Sequence, residues 1–453
     1  MTPVLILSAG LMTAMVAVEI IHFRLVRRIT FLTAVHILIA IGYCLPPFLV
    51  TLLPDTPWQY GPRGPLYNPW GMRLYLLDLA DHLRLPSGAY LTAFILLIGG
   101  YVALLFGYLC GTRLPIRPFH QTCLPVSYLA ALGMVLLGLA GTALGLYGSQ
   151  FGSLSDFYLT GPGIRSGEVS AKWGALQILA QIALPAFLVL TAAAVRSTGT
   201  IRWLLGVLAA VAWAVAFARM WHASGRLELG SFLLIPLVAT VFMLKSKKWV
   251  VLAAAAIGLL ALLIASAPHH SFSHLHLAIP KILNSLASNL LGTVISILAE
   301  FGFPHIASAH TLTVVPDPIS FRYFIDIPLG LLYMLPNLTG VETLPPMVLS
   351  LAARLLPWIP VDLLSLGYFS LGALGVLIIF IAFGAVLALF DGWLSESAGW
   401  LGQALRAAWL FYLPFRLFYA DPYAALQSGF GLIAGTVLIM AMALWAAWRR
   451  RGA

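Results

Sequence analysis

Residues 365–390 read SLGYFSLGALGVLIIFIAFGAVLALF, with no charged side chain. Coiled as an α-helix, such a run is about 39 Å long, more than the ~30 Å that a bilayer's hydrocarbon core requires. Ser365, Gly367, Ser370, Gly372 and Gly375 gather at one end, where small residues let helices pack closely. Comparable apolar runs recur at 3–21, 31–53, 89–110, 124–147, 173–195, 203–219, 230–244, 249–266, 400–418 and 425–448, giving eleven in all. Of the 453 residues, 61% are hydrophobic and 9% charged; a soluble domain carries about 25% charged residues. Mean hydropathy is +0.97. The period-two alternation of a membrane β-barrel is absent. The expected fold is therefore an all-α polytopic membrane protein with about eleven spans. Residues 1–270 form an N-terminal bundle, 271–362 a large amphipathic, re-entrant segment on the outer face, and 363–453 the C-terminal spans. The first apolar run has neither a basic n-region nor a cleavage motif and reads as a retained helix.

Orientation follows from arginines and lysines in short loops. Arg24, Arg27 and Arg28 follow the first span, Arg113 and Arg117 the third, Arg196 and Arg202 the fifth. Lys245, Lys247 and Lys248 follow the seventh, and Arg449, Arg450 and Arg451 close the chain. All fall on one side if the N-terminus is outside and the C-terminus cytoplasmic. The net charge of +10 then reflects membrane anchoring rather than nucleic acid. Cys44, Cys110 and Cys123 lack CxxC spacing, so neither a disulfide framework nor a zinc site is expected.

Three outward segments carry polar chemistry. Residues 54–88 begin rich in Pro, Gly, Trp and Tyr and end in an amphipathic stretch suited to the interface. Their aromatics form an interfacial belt or stack on sugar rings. Residues 149–172 hold Asp156, Arg165, Glu168 and Lys172 in a Gly- and Ser-rich loop, either a plain loop or a binder of sugar hydroxyls. Residues 219–231, RMWHASGRLELGS, put Arg219, His222 and Arg226 at a membrane boundary. Arginines there are costly to desolvate without partners, and their forked donors suit phosphate and pyrophosphate oxygens. The alternative is snorkelling to lipid headgroups.

Residues 271–360 are the longest stretch that is neither a plain span nor a short loop. Leu283, Leu286, Leu290, Val294 and Ile297 repeat at helical spacing up to Glu300. Phe301-Gly302-Phe303-Pro304 breaks the pattern. His305 follows, then a short helix to Thr313, the Pro316-Asp317-Pro318 corner and Phe321-Arg322-Tyr323. Glu300, His305, Asp317 and Arg322 thus sit at breaks, where side chains can project into a cavity. The histidines at 269, 270, 274 and 276 lack carboxylate or cysteine companions at metal-ligand spacing and read as an interfacial patch. No Walker A, Rossmann glycine, HExxH or nucleophile-elbow pattern occurs. No metal or cofactor is expected, and any substrate would arrive already activated.

In this order, several strings resemble a family. They are Ser224-Gly225-Arg226 before an apolar span ending at Lys245-Ser246-Lys247-Lys248; Glu300-Phe301-Gly302-Phe303-Pro304; Ala309-His310-Thr311 running into Val314-Val315-Pro316; Leu335-Pro336-Asn337; and the glycine-rich 366–375. The order is similar to that of the bacterial oligosaccharide repeat-unit polymerases, the Wzy-type O-antigen and polysaccharide polymerases. A second clear arginine motif frequent in that family's large loop is missing here; only Arg322 and Arg354 are candidates. The resemblance implies glycosyl transfer between undecaprenyl-pyrophosphate-linked oligosaccharides at the outer face of the bacterial inner membrane. It also implies a flippase and a chain-length regulator as pathway partners. The base for the acceptor hydroxyl would be Glu300 or His305, although Glu300 equally suits an arginine partner. Arg226, with Arg219 or Arg322, would neutralise the leaving pyrophosphate, and His222, Asp317 and Arg165 would contact the glycan or pyrophosphate. Competing readings are an O-antigen ligase and a lipid-linked oligosaccharide flippase or transporter. The scarcity of charge within the spans argues against transport.

Overall fold

A computed structural model of the chain describes residues 2–52, 86–116, 118–119, 124–166, 169, 171–223, 226–243, 301–332, 361–394 and 399–451; at Arg165 and Arg226 the description stops at the backbone. Among the described residues there is no strand, and eight helices are long and apolar enough to cross a membrane. They are Pro3–Val26, Phe31–Phe48, Gly88–Thr112, Val126–Gly148, Gly174–Arg196, Gly199–His222, Leu363–Trp393 and Pro422–Arg449. Each coincides with an apolar run read from the sequence. Of the other three runs, 249–266 lies outside the described residues. The run 230–244 falls on the 18-residue helix Arg226–Met243, which carries Pro236. The run 400–418 divides into the 13-residue helix Trp400–Tyr412 and a short 3₁₀ turn Pro414–Leu417. Thirteen residues rise only about 20 Å, short of a hydrocarbon core.

The chain forms two compact units. Unit 1 comprises Met1–Ile116, Leu283–Gly392 and Leu413–Leu426. In it, α1 is Thr2–Val26 and α2 is Phe31–Ile39, prolonged by a π-helical turn Ala40–Cys44 into α3, Leu45–Leu52. Thr30 caps α2 in a capping box with Thr33, satisfying two of the free amides of its first turn. The long helix α4 is Ser87–Thr112. Unit 2 comprises Arg117–Ile282, Trp393–Tyr412 and Gln427–Ala453. It holds α5 (Val126–Gly148), α6 (Leu154–Ser166), α7 (Gly174–Leu179), α8 (Ala183–Arg196), α9 (Gly199–His222) and α10 (Arg226–Met243). Here α8 packs against both α5 and α9, and α10 packs against the helix Trp400–Tyr412. Back in unit 1 are two short helices, α11 (Phe303–Val314) and α12 (Asp326–Leu332), and α13, Leu363–Trp393.

The quoted glycine-rich run is not one straight span. Inside α13, Leu371 (φ −150°, ψ 29°) and Gly372 (φ 62°, ψ −144°) leave helical geometry. A Cβ built on Gly375 would lie 2.0 Å from the carbonyl oxygen of Gly367. In an unbroken helix residues eight apart stand about 12 Å apart along the axis, so the chain folds back on itself at the break. The leading arm packs on the start of the trailing arm because both carry glycine there. Residues 373–393 then span about 31 Å, one bilayer core. The trailing arm meets α4 as tightly: a Cβ on Gly384 would lie 2.1 Å from the Leu104 carbonyl oxygen, and one on Gly107 2.0 Å from that of Ile381. Of the glycines at these close approaches and the break, Gly372 alone occupies dihedrals that L side chains avoid. Gly372→Ala is expected to cost about 1–3 kcal/mol, read as a lowered thermal midpoint in detergent; an unchanged midpoint would show that the break tolerates a side chain.

Candidate functional site

The site with the densest chemistry in unit 1 surrounds the leading arm of α13. Asp362, fully buried, stands immediately before that arm. Its Oδ1 accepts the backbone N–H of Ser365 at 3.2 Å, an N-cap for the arm. Its Oδ2 accepts the Tyr43 hydroxyl at 2.5 Å and the Ser308 hydroxyl at 2.7 Å. The Thr311 hydroxyl lies 3.1 Å from that of Ser365. One carboxylate thus joins the π-turn after α2, the short helix α11 and the head of α13. Burial pushes its carboxyl above the usual range, and the donated hydrogen bonds oppose that shift.

The break supplies the second feature. A helix that stops at residue 370 leaves carbonyls without their i+4 amides. Those of Phe369 and Ser370 accept the backbone N–H groups of Arg322 and Tyr323, both at 3.0 Å. The segment before α12 therefore docks edge-on into the broken helix. Tyr323 and Phe324 follow at φ 52° and 60°, an uncommon pair of left-handed residues without glycine. Such strain persists only where the surroundings enforce it. The Arg322 guanidinium reaches Asp326 with two bonds, Nε to Oδ2 at 2.8 Å and Nη2 to Oδ1 at 2.6 Å. It also sits 5.8 Å from the centroid of Phe369. Burial raises the Asp326 carboxyl, and Arg322 opposes that only in part.

The sequence-derived candidates divide between the units. In unit 1, His305 is buried in the first turn of α11, its ring 5.2 Å from Tyr90 and 6.0 Å from Phe94. Burial pushes it down to about 4, so near neutral pH the ring is uncharged and a weak base. Asp317 is exposed in the turn after α11, and Arg322 is committed to Asp326. Glu300 lies outside the described residues.

In unit 2, Arg219 and His222 are buried in the last turn of α9. His222 stacks on Phe157 at 4.1 Å. Its Nδ1 lies 2.5 Å from the Phe157 carbonyl oxygen and its Nε2 2.9 Å from the Tyr147 hydroxyl. The carbonyl accepts, so Nδ1 carries a proton, and Nε2 accepts from Tyr147. His222 therefore ties α9 to α5 and α6, and both its nitrogens are engaged. A Cβ on Gly161 would lie 1.9 Å from the His222 carbonyl oxygen, which shows how closely α6 approaches. Arg226 opens α10 and Arg165 lies in α6. The expected histidine patch at 269–276 and the amphipathic stretch at 71–85 lie outside the described residues. Among the described residues, no group of three His, Cys, Asp or Glu is placed to hold a metal ion.

Sequence reasoning passed over Asp362 and Tyr43. The signal for Asp362 was its place directly before a span, where a cap residue is expected. It also passed over charge inside unit 1: Glu19 and His36 lie 2.8 Å apart within membrane-length helices, against the expectation of nearly charge-free spans. No protein-family model, no curated protein and no solved structure matches this chain.

Proposed function

We propose that the protein is a membrane glycosyltransferase of the repeat-unit polymerase type. It joins oligosaccharides carried on polyprenyl pyrophosphate, at the outer face of a bacterial inner membrane that the chain crosses about eleven times. The observation that carries this reading is the layer formed by residues 301–332. Two short helices, α11 and α12, follow the Glu300-to-Pro304 element and hook into a broken span. Broken helices, with half-helix ends inside a bundle, are places where membrane proteins bind polar and anionic ligands. Glu300 is the base for the acceptor hydroxyl, because His305 is buried and too weak a base. Arg226, helped by Arg219, holds the departing pyrophosphate, whose charge must be neutralised as the glycosidic bond breaks. Arg322 shapes the corner through its two bonds to Asp326.

A second reading, transport of the lipid-linked oligosaccharide, is favoured by Glu19 and His36 inside the spans. One experiment separates the two. Purified protein is mixed with lipid-linked repeat units, and a ladder of products is expected. Glu300→Gln and Arg226→Ala should each leave the protein folded and abolish the ladder. Movement of intact lipid across vesicles with no ladder would overturn the polymerase reading.

A further inference from the structure

We propose that the groove between α8 and α9 in unit 2 binds one anionic phospholipid, with an acyl chain along the groove and the phosphate at Arg202. The site lies at the other end of α9 from Arg219 and His222, so it stands whether the protein is a polymerase or a transporter.

The groove has a volume of about 800 Å³, within the range of roughly 300–1,000 Å³ typical of small-molecule sites. On α9 its lining runs from Gly199 to Trp213, about 21 Å along the axis. One leaflet's share of the hydrocarbon core is about 15 Å, so the groove is long enough to follow a chain through a leaflet. Apart from Arg202 and Thr191, the residues that line it are apolar or glycine. A Cβ built on Gly206, in the middle of the α9 wall, meets nothing within 4 Å, so the space before the backbone is open. Aromatic rings close the end away from Arg202. Phe187 and Trp213 line it there, and Phe232 of α10 lies 6.4 Å from the first ring and 5.8 Å from the second.

Charge sits at one end of the groove only. Arg202 is exposed in the first turn of α9, and among the described residues its guanidinium has no hydrogen bond or ion pair. Arg196 ends α8 in the same turn of chain, held by its bond to the Leu124 carbonyl at 2.7 Å. Thr198 stands at the N-cap of α9 without a side-chain capping bond, so the first-turn amides add to the positive field. Exposed Trp203 suits the depth of the headgroups. A guanidinium grips phosphate oxygens with its forked donors, and basic pockets between spans take anionic headgroups. The orientation expected from the loop arginines puts this end in the cytoplasmic leaflet, which carries the anionic lipids. An amphiphile with one anionic head and an apolar tail therefore matches the groove in both charge and polarity. A second copy of the chain meeting this turn does not, because residues 196–203 hold two arginines and no acid.

The test is native mass spectrometry of the full chain released from nanodiscs of equal phosphatidylglycerol and phosphatidylcholine with matched chains. The wild type is expected to retain one phosphatidylglycerol per chain. Arg202→Gln should lower the preference for phosphatidylglycerol about fivefold, the effect of one arginine near the headgroups. Gly206→Leu, which fills the groove and improves the helix, should retain no lipid. If that variant is not recovered folded, Ala210→Leu on the same wall gives the same reading. A wild type that retains no lipid, or both lipids equally, would overturn the site. So would retention by the groove-filling variant at the wild-type level. A retained polyprenyl phosphate, or a dimer mass lost on filling the groove, would assign it to another occupant and overturn the proposal.

Discussion

Asp362→Ala is expected to lower stability by about 3–7 kcal/mol. The cap of the leading arm of α13 goes, worth about 1 kcal/mol. The hydroxyls of Tyr43 and Ser308 lose their acceptor in a fully buried place, at about 1–3 kcal/mol for each orphaned group. In a structure whose whole margin is of order 5–15 kcal/mol, that is a large share, read as a strongly lowered thermal midpoint in detergent. Asp362→Asn keeps one carbonyl oxygen, which can serve the cap or one hydroxyl, and should lose roughly half as much. The sharper measurement is a double-mutant cycle. Tyr43→Phe alone removes a donor and leaves Asp362 with one bond fewer. In the Asp362→Ala background it removes an orphan, so it should be neutral or stabilising. The coupling is read from thermal midpoints of the four proteins. Strictly additive losses would mean that Tyr43 and Asp362 do not share a bond that matters.

The helices were legible because long apolar runs leave little else for the backbone to do in hydrocarbon, where only internal hydrogen bonding satisfies it. Hence 363 was recognisable as a helix start and Gly88–Thr112 as a span. The fold-back at Gly372 was not. Its glycines announced close packing, and hydropathy cannot tell whether glycine serves a neighbouring helix or the same chain eight residues on. The division of 400–418 was hidden for the same reason: Pro414 sits in a run whose mean hydropathy a single residue barely changes. At the site, spacing drew attention to His305 and Arg322 because they stand at breaks. Three of their partners, Tyr90 and Phe94 for one and Phe369 for the other, come from sequence separations that only packing sets. Asp326 is four residues from Arg322, and that pairing was within reach of helical spacing. Glu19 lies within the first apolar run, 3–21, with no spacing signal of its own. Its meaning came from His36 on the next helix, and a carboxylate and an imidazole in successive apolar runs should have been weighed as a pair.

Acidification is the second large effect expected. His305 is neutral in the native state with its pKa at about 4, against about 6.5 in the unfolded chain. Between these values the unfolded state binds the extra proton, so stability is full above about pH 6.5 and falls as pH drops towards 4. One pKa unit corresponds to about 1.4 kcal/mol, so the loss reaches about 3 kcal/mol by pH 4. His310, also pushed down to about 4 by burial, adds a loss of the same sign; among the described residues neither of its ring nitrogens has a hydrogen-bond partner. Asp326 and Asp362 work in the opposite sense. Their carboxyls are raised in the folded state, so protonation below those raised values favours the fold. The bare profile is thus a difference of opposing effects, and the variant must isolate the ring. In His305→Phe an aromatic of similar width sits against Tyr90 and Phe94, and no proton can be taken up. Its thermal midpoint should fall less between pH 7 and pH 4.5 than that of the parent. The same variant divides the two roles open to His305. A ring that acts through packing flattens the stability profile. If His305→Phe abolishes chain extension and leaves the profile unchanged, the ring is the base, and the assignment of that role to Glu300 fails.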